Sequence, residues 1–461
     1  MNESARRDAL AVAIEALSWM ELEGVSERQA FTRAVKQLGV LDGSALRFAL
    51  LLIIETTRRL NLVDDWLTSI LPESSFQKLD LGQKNFLRSF LYWVRIRGQP
   101  AEALPLLKAA RQALGWQEMH RLELYAGKIL TSNDMRTREL PEHFRLAFET
   151  FNPPWFVDYC IRVFGRTLAL RYLRSTIEPP PTYVRINTLI NSFEENRTQM
   201  ENEGLVLEAI EPFENTFKVL RAKRPLVHMR SYRSGLFHVQ DKSSCLSTLV
   251  AEIQHGENAL DICAAPGGKT SHIAQLMANL GEIVSVDYSG RRMRTWKNMT
   301  KRLYVDCALP IIADAQRQLP FNSEFDVVLL DPPCTSTGAF ARMPSAKWRL
   351  SPEAIEQAAR MQSRMLENAA THVRNGGRLV YSTCSVTIEE NELIIRSFLR
   401  SHPDFHLEAQ IPFVGGNGLI GLELCQRLFQ HRDGCNGYFI AKLRRTTDEN
   451  MTHESHTTSK T

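Results

Sequence analysis

Five short apolar runs between residues 258 and 383, NALDIC, EIVSVD, LPIIAD, FDVVLLD and RLVYST, are separated by helix-length segments. Several are almost continuously hydrophobic, as strands covered on both faces are. Strands alternating with helices predict an α/β domain with a doubly wound parallel sheet, whose ligands bind beyond the carboxyl ends of the strands. Gly437–Leu443 (GYFIAKL) predicts one further strand.

That sheet accounts for less than half of the 461 residues, and a chain this long divides into two or three domains. Residues 1–140 read as helices. Ala9–Met20 has helical spacing, Phe48–Ile54 (FALLLII) reads as a buried helix, and Gln83–Arg97 sets a basic stripe of Lys84, Arg88 and Arg95 beside an apolar face. FNPPW (151–155) and EPPP (178–181) bracket one helical connector, Phe156–Ser175. Strand-like YVRINTL, helix-like SFEENRTQMENEG and the alternating LVLEAIEPFENTFKVL make a small α+β domain. The expected division is therefore 1–140, 141–234, 235–443 and a polar tail, 444–461. At 44% apolar and 23% charged residues there is ample material for a core. The longest apolar run has seven residues, against the roughly 20 of a membrane-spanning helix, and MNESARRDAL carries no secretory apolar region. A cytoplasmic monomer away from membranes is expected. None of the eight cysteines forms a C-x-x-C pair, so no metal site is expected and the thiols are expected to be reduced.

CAAPGGKT (263–270) has the form of a phosphate loop whose first glycine is cysteine. Two features favour an adenosyl ligand over a triphosphate. The β-carbon of Cys263 resists the tight turn, and EIVSVD ends in Asp287, where dinucleotide-type folds place a ribose-binding carboxylate. Cys334 in DPPCTSTG and Cys384 in YSTCS each follow a predicted strand and open onto the same crevice. Carbon 5 of a pyrimidine is too weak a nucleophile to attack a sulfonium methyl group unaided. A thiolate adding to carbon 6 makes it one, and a base must later remove the proton from carbon 5. No His or Glu in the sequence can be tied to that proton.

With CAAPGGKT, DPPCTSTG, LVYSTCSVTIEENE (379–392), VRINTL (184–189) and HVQDKSS (238–244), the chain resembles the RNA (cytosine-5) methyltransferases of the Nol/Nop/Sun group, over roughly residues 150–443. Within that group it is similar to the bacterial branch acting on small-subunit ribosomal RNA. The resemblance implies a Rossmann-like class I methyltransferase domain. The helical N-terminus resembles the RNA-binding domain of the antitermination factor NusB. By resemblance, Cys384 is the nucleophile and Cys334 assists product release. Asp331 touches the cytosine edge, and S-adenosylmethionine is held by Cys263, Ala264, Ala265, Pro266, Gly267, Gly268, Lys269, Asp287, Arg292, Asp314 and Asp331. Two departures stand out: DPPC replaces the usual bacterial D-A-P-C, and HRDGCNGYFIAKL carries an extra Cys-Asn at the lip of the crevice.

RNA is the expected partner, ribosomal RNA first and tRNA as the alternative. A non-catalytic RNA-binding assembly factor is the rival of another class. The net charge of +4 is modest, but Arg221, Lys223, Arg224, Arg230 and Arg233 lie in one acid-free run. A second run holds Arg291, Arg292, Arg294, Lys297, Lys301 and Arg302. Such clusters suit a polyanion or a solvated face. Arg185, Lys242, Arg342, Lys347 and Trp348 are further candidates for RNA contact, with salt bridges and packing as the alternative; Trp348 can stack on a base or anchor a helix.

Overall fold

Asn2, Ser26 and Asp42 stand one residue ahead of runs rich in Ala, Leu and Gln, and each side chain accepts a hydrogen bond from a backbone N–H of the first turn that follows. They start the helices Glu3–Glu23, Glu27–Leu38 and Gly43–Arg58 of the computed structural model, which describes residues 1–72, 76–133 and 139–447. The described chain divides into two compact units, Met1–Glu178 with Phe340–Arg349, and Pro179–Ala339 with the residues from Leu350 onward.

The first unit is all helical. Ala5, Ala9, Ala13 and Ala16 on its first helix are buried, and Trp66, Phe86 and Phe90 fill its core. The expected connector is two helices, Pro154–Phe164 and Arg166–Ser175, because Gly165 breaks the run with φ of 73°. The basic stripe is not an open one. Arg88 is buried, its Nε 2.7 Å from Asp64 and its Nη1 2.7 Å from Glu21. Arg95 donates to the carbonyls of Ile129 (2.6 Å) and Ser132 (2.8 Å). Lys347 and Trp348 also belong to this unit. The Lys347 ammonium is buried and donates to Phe151 O (3.0 Å) and Thr176 Oγ1 (3.1 Å); the Trp348 indole donates to Thr57 O at 2.6 Å. Lys347 is thus a packing residue and Trp348 an anchor, which corrects the expectation of RNA contact.

In the second unit, β1 (Tyr183–Ile186), β2 (Leu205–Ile210), β3 (Phe213–Ala222) and β4 (Phe237–Val239) form an antiparallel sheet of order β2-β3-β1-β4. Val184, Ile186, Phe217 and Phe237 close it over Met200 of the helix Phe193–Asn202. The five apolar runs become β5 (Asn258–Ile262), β6 (Glu282–Asp287), β7 (Ala308–Ile312), β8 (Phe325–Leu330) and β9 (Val373–Thr383). They lie parallel in the order β9-β8-β5-β6-β7. Alternate side chains enter two cores, Leu260, Ile262, Val328 and Leu330 on one face and Ala259, Ile283, Val327 and Leu329 on the other. β10 (Phe405–Leu407), β11 (Gly416–Asn417), β12 (Gln426–Leu428) and β13 (Tyr438–Arg445) extend the sheet beyond β9, all antiparallel. The predicted strand GYFIAKL is β13, which takes in the first two residues of the expected tail; 448–461 lie outside the described residues.

Asp261 faces one of these cores from β5, and among the described residues the donor to its carboxyl group is Thr270 Oγ1 at 2.6 Å. Burial pushes its pKa up to about 7. A carboxyl raised above its unfolded value of about 3.9 keeps its proton longer in the folded state, so stability falls as pH rises from about 4 to about 7. Asp261→Asn is expected to remove that slope, raising stability above pH 7 by up to about 4 kcal/mol and leaving it little changed near pH 4. Denaturant melts at the two pH values check this.

Candidate active site

The parallel strands deliver their carboxyl ends to one edge, and β5 lies where the winding reverses, between β6 and β8. The turn after β5 is made by Cys263 itself in the left-handed region (φ 65°), so its β-carbon does not prevent the tight turn. Ala264 N donates to Val286 O at 3.0 Å and Gly267 N to Ala264 O at 2.8 Å, holding the loop closed. Gly267 has φ of 111° and starts the helix Gly268–Leu276; a Cβ there would lie 3.2 Å from Trp296. Ala264 and Ala265 are buried against Met293 and Trp296, and Pro266 is exposed.

The loop's lysine and threonine are committed inward. The Lys269 ammonium is buried, 2.6 Å from Asp331 Oδ2 and 3.3 Å from Ser244 Oγ. Burial works against its charge, but Asp331 and Tyr438 outweigh it and raise its pKa. Thr270 is fully buried, donating to Asp261 and accepting from Trp296 Nε1 at 2.9 Å. A phosphate loop needs a lysine free for phosphate and a hydroxyl free for magnesium; here neither is free.

The neighbouring strand ends add carboxylates. Asp287, closing β6, accepts from Ser289 N (3.0 Å) and Ala265 N (3.3 Å) and pairs with Arg292 at 3.0 Å. Arg292 also donates to Ala265 O. Asp314, two residues beyond β7, is half-buried and accepts from Gln316 N at 3.0 Å. Asp331, following β8, is held by Lys269 and by Tyr438 OH at 3.3 Å. Three carboxylates along one crevice repel a triphosphate and suit ribose hydroxyls and an ammonium group. The donor set therefore fits an adenosyl amino acid.

Cys334 and Cys384 meet at the same edge, Sγ to Sγ 3.2 Å, both half-buried. Ser336 Oγ lies 3.6 Å from Cys384 Sγ. The hydrogen bond from Cys334 holds the Cys384 thiol below its ordinary pKa against the opposing effect of burial, while that bond and burial push Cys334 well up. One sulfur is set to ionise and the other to keep its proton.

Residues 248–444 match the family model described as 16S rRNA methyltransferase RsmB/F. A probable ribosomal RNA small subunit methyltransferase B of Bacillus subtilis is 32% identical over 312 residues, covering 65% of this chain and 68% of that protein. The chain belongs to the RsmB/F family. It is an RNA cytosine-5 methyltransferase. A tRNA (cytosine(72)-C(5))-methyltransferase of Pyrococcus horikoshii is 36% identical over 223 residues, 48% of this chain and 56% of its own. The crystal structure of PH0851 superposes with a TM-score of 0.82 and 26% identity, over 95% of this chain and 99% of its own.

Within this RsmB/F-family chain the other basic candidates separate. Arg185 is buried, 2.8 Å from Ser271 Oγ and 3.0 Å from Gln240 Oε1, so it ties β1 to the glycine-loop helix and is not an RNA contact. Lys242 is half-buried with its ammonium 5.7 Å from the Tyr183 ring. Arg291, Arg294, Lys297 and Lys301 are exposed at helical spacing on Gly290–Arg302, and Arg221, Lys223, Arg224, Arg230 and Arg233 are exposed on the small sheet's flank. Arg302 joins the two runs by donating to Tyr232 O (2.6 Å) and Phe237 O (3.2 Å). None of those nine exposed cations is in an ion pair among the described residues.

Sequence reasoning missed Tyr438, Gln362 and Glu390. Glu390 lies inside LVYSTCSVTIEENE, six residues after the nucleophile candidate, and is fully buried. It missed as well the crossing of Gly338 and Gly437, where Gly338 N donates to Cys384 O (2.9 Å) and Gly437 N to Gly338 O (2.8 Å). A Cβ on Gly338 would fall 2.0 Å from Gly437 O. Gly338→Ala is therefore expected to displace the Cys334 loop and lower turnover by about 100-fold, with the helical unit still folded by circular dichroism.

Proposed function

We propose that this chain transfers a methyl group from S-adenosylmethionine to carbon 5 of a cytosine in small-subunit ribosomal RNA through a covalent adduct on Cys384. The observation that carries this reading is the thiol pair, 3.2 Å apart where the segments following two adjacent strands meet. The methyl donor, bound along Asp287 and Asp314, supplies an electrophilic methyl group. Cys384, as thiolate, adds to carbon 6 of the ring. Asp331, held at 2.6 Å by the buried Lys269, accepts from the exocyclic amino group of the cytosine and orients the ring, and the positive charge of Lys269 offsets the negative charge that develops there. Carbon 5, now enamine-like, would take the methyl group, its new carbon–carbon bond replacing the donor's sulfonium–methyl bond and the donor leaving as a neutral thioether. A base then takes the proton from carbon 5, its bonding electrons re-form the double bond between carbons 5 and 6, and the bond from carbon 6 to sulfur breaks, with Cys334 assisting departure of Cys384 as thiolate.

The exposed cations support an RNA partner, since they match a phosphate backbone and leave base reading to the crevice. The ribosomal assignment is supported by the family model and the Bacillus subtilis relative. The Pyrococcus horikoshii tRNA methyltransferase favours tRNA as the second reading. Incubation with labelled methyl donor and separate rRNA and tRNA pools, followed by nucleoside analysis, decides between them. Label in 5-methylcytosine of small-subunit rRNA is expected; label in tRNA alone selects the second reading.

Two outcomes follow from the thiol roles. Cys384→Ser is expected to abolish turnover and any RNA adduct, whereas Cys334→Ser accumulates a covalent enzyme–RNA species on denaturing gels. Because the thiolate is the attacking form, the rate of adduct formation rises with pH through the lowered Cys384 pKa and levels off at lower pH than it would for an unassisted thiol in the same site. Cys334→Ala removes the donor and is expected to move that rise to higher pH in single-turnover measurements.

A further inference from the structure

Cys384 and Cys334 are held in place by different means. Cys384 directly follows β9, whose last residue, Thr383, is in register with Phe439 of β13, and its carbonyl accepts from Gly338 N. Cys334 has no strand to hold it; it lies in the irregular segment after β8. Its neighbours are gripped instead by two buried side chains, Gln362 and Glu390. Gln362 Nε2 donates to Pro333 O (2.9 Å) and to Glu390 Oε2 (2.9 Å). Glu390 Oε2 also accepts from Thr335 N at 2.9 Å. Glu390 Oε1 accepts from Ser385 Oγ (2.5 Å), Thr387 Oγ1 (2.8 Å) and Thr335 Oγ1. The residue after Cys334 is thus fixed directly to one carboxylate and the residue before it through Gln362, and the same carboxylate holds the residue after Cys384.

We propose that Glu390 is a positioning residue for product release: it sets Cys334 against the adduct formed on Cys384, and its loss stalls the reaction after methyl transfer. Five donors converge on its two oxygens, and a carboxylate is the side chain that accepts on both. An amide in its place turns an N–H₂ group toward other donors, so Glu390→Gln frees the Cys334 segment. β9 and its partner strand still fix Cys384, so attack on carbon 6 continues while release fails. Glu390 touches neither sulfur and acts through the backbone on either side of Cys334.

The inference rests on the roles proposed for the two cysteines, and the experiment separates the two. Wild type, Cys334→Ser, Glu390→Gln and Thr335→Val, which keeps the Thr335 N–H bond and loses the hydroxyl, are compared in steady state and on denaturing gels with RNA and methyl donor. Glu390→Gln is expected to lower kcat by about tenfold or more, to change the RNA KM by less than about twofold, and to accumulate the covalent adduct seen with Cys334→Ser. Thr335→Val is expected to show the same split in smaller degree, and it decides the matter if Glu390→Gln does not fold. Adduct in Cys334→Ser with none in either of the other variants overturns the role of Glu390. No adduct in Cys334→Ser overturns the release role of Cys334 and this inference with it.

Discussion

Parallel strands wound by helices all end at the same edge of their sheet, and that constraint assembles this site. β5 to β9 stop at Ile262, Asp287, Ile312, Leu330 and Thr383. Within a few residues of those ends come Cys263, Asp287, Asp314, Asp331, Cys334 and Cys384. Reversal of the winding at β5 leaves room there for a loop, and the loop's first helical turn brings Lys269 to Asp331 at 2.6 Å. Three carboxylates in one crevice would repel one another and any anion. Arg292 answers Asp287 at 3.0 Å and Lys269 answers Asp331 at 2.6 Å, whereas Asp314, the most exposed of the three, meets Arg317 only at a longer 3.8 Å. A crevice balanced this way is set for hydroxyl and ammonium groups, and Thr270, locked between Asp261 and Trp296, is closed to magnesium.

The second requirement is an asymmetric pair of thiols. Two cysteines at the same depth in the same medium would ionise alike, and neither would be selected as nucleophile. The short contact couples the two, because a thiol that donates its hydrogen stabilises the neighbouring thiolate and becomes harder to ionise itself, and the Ser336 hydroxyl, 3.6 Å from Cys384, favours Cys384 as the thiolate. Such a contact demands that two chain segments cross with no side chain between them, which is the reason for glycine at 338 and 437. The Cys-Asn insertion in HRDGCNGYFIAKL lies just before that crossing. Cys435 is buried within the core, and Asn436 N lies 3.4 Å from Asp241, so the insertion packs inward and leaves the crossing intact.

What could be read from the sequence was what depends on periodicity or on a contiguous motif. The parallel strands, the small antiparallel sheet, the glycine loop and the two cysteines are local in that sense. Long-range pairing of charge was not. Arg88, Arg185 and Lys347 look alike in sequence to Arg291 or Lys297, yet the first three find acceptors from distant segments and are buried, while the last two remain in solvent. Lys347 is the clearest case. Its segment, Phe340–Arg349, follows the Cys334 motif within a few residues but belongs to the helical unit, and no pattern within ten residues could have said so. The short strands β10 to β12 were missed for a related reason: two or three residues cannot display a period.

Three buried acids show how donor supply decides what a carboxyl group does in this fold. Asp261 has one hydroxyl donor, Thr270, and burial prevails, pushing its pKa up to about 7. Glu392 is wholly buried but faces Arg427 through a two-pronged contact, with the Arg427 Nη1 also donating to Val386 O at 2.8 Å. Among the described residues the donors to Glu390 are uncharged and come from both cysteine loops and Gln362. An apolar residue of similar size would avoid the cost of burying a charge, so stability alone does not account for a carboxylate there. Apolar packing is non-directional, and it would leave the relative placement of Pro333, Thr335 and Ser385 to van der Waals contact alone. Directed bonds from Thr335 and Ser385 to one small group, with Gln362 bridging it to Pro333 O, fix those three positions together, at the spacing that a 3.2 Å contact between two sulfurs requires.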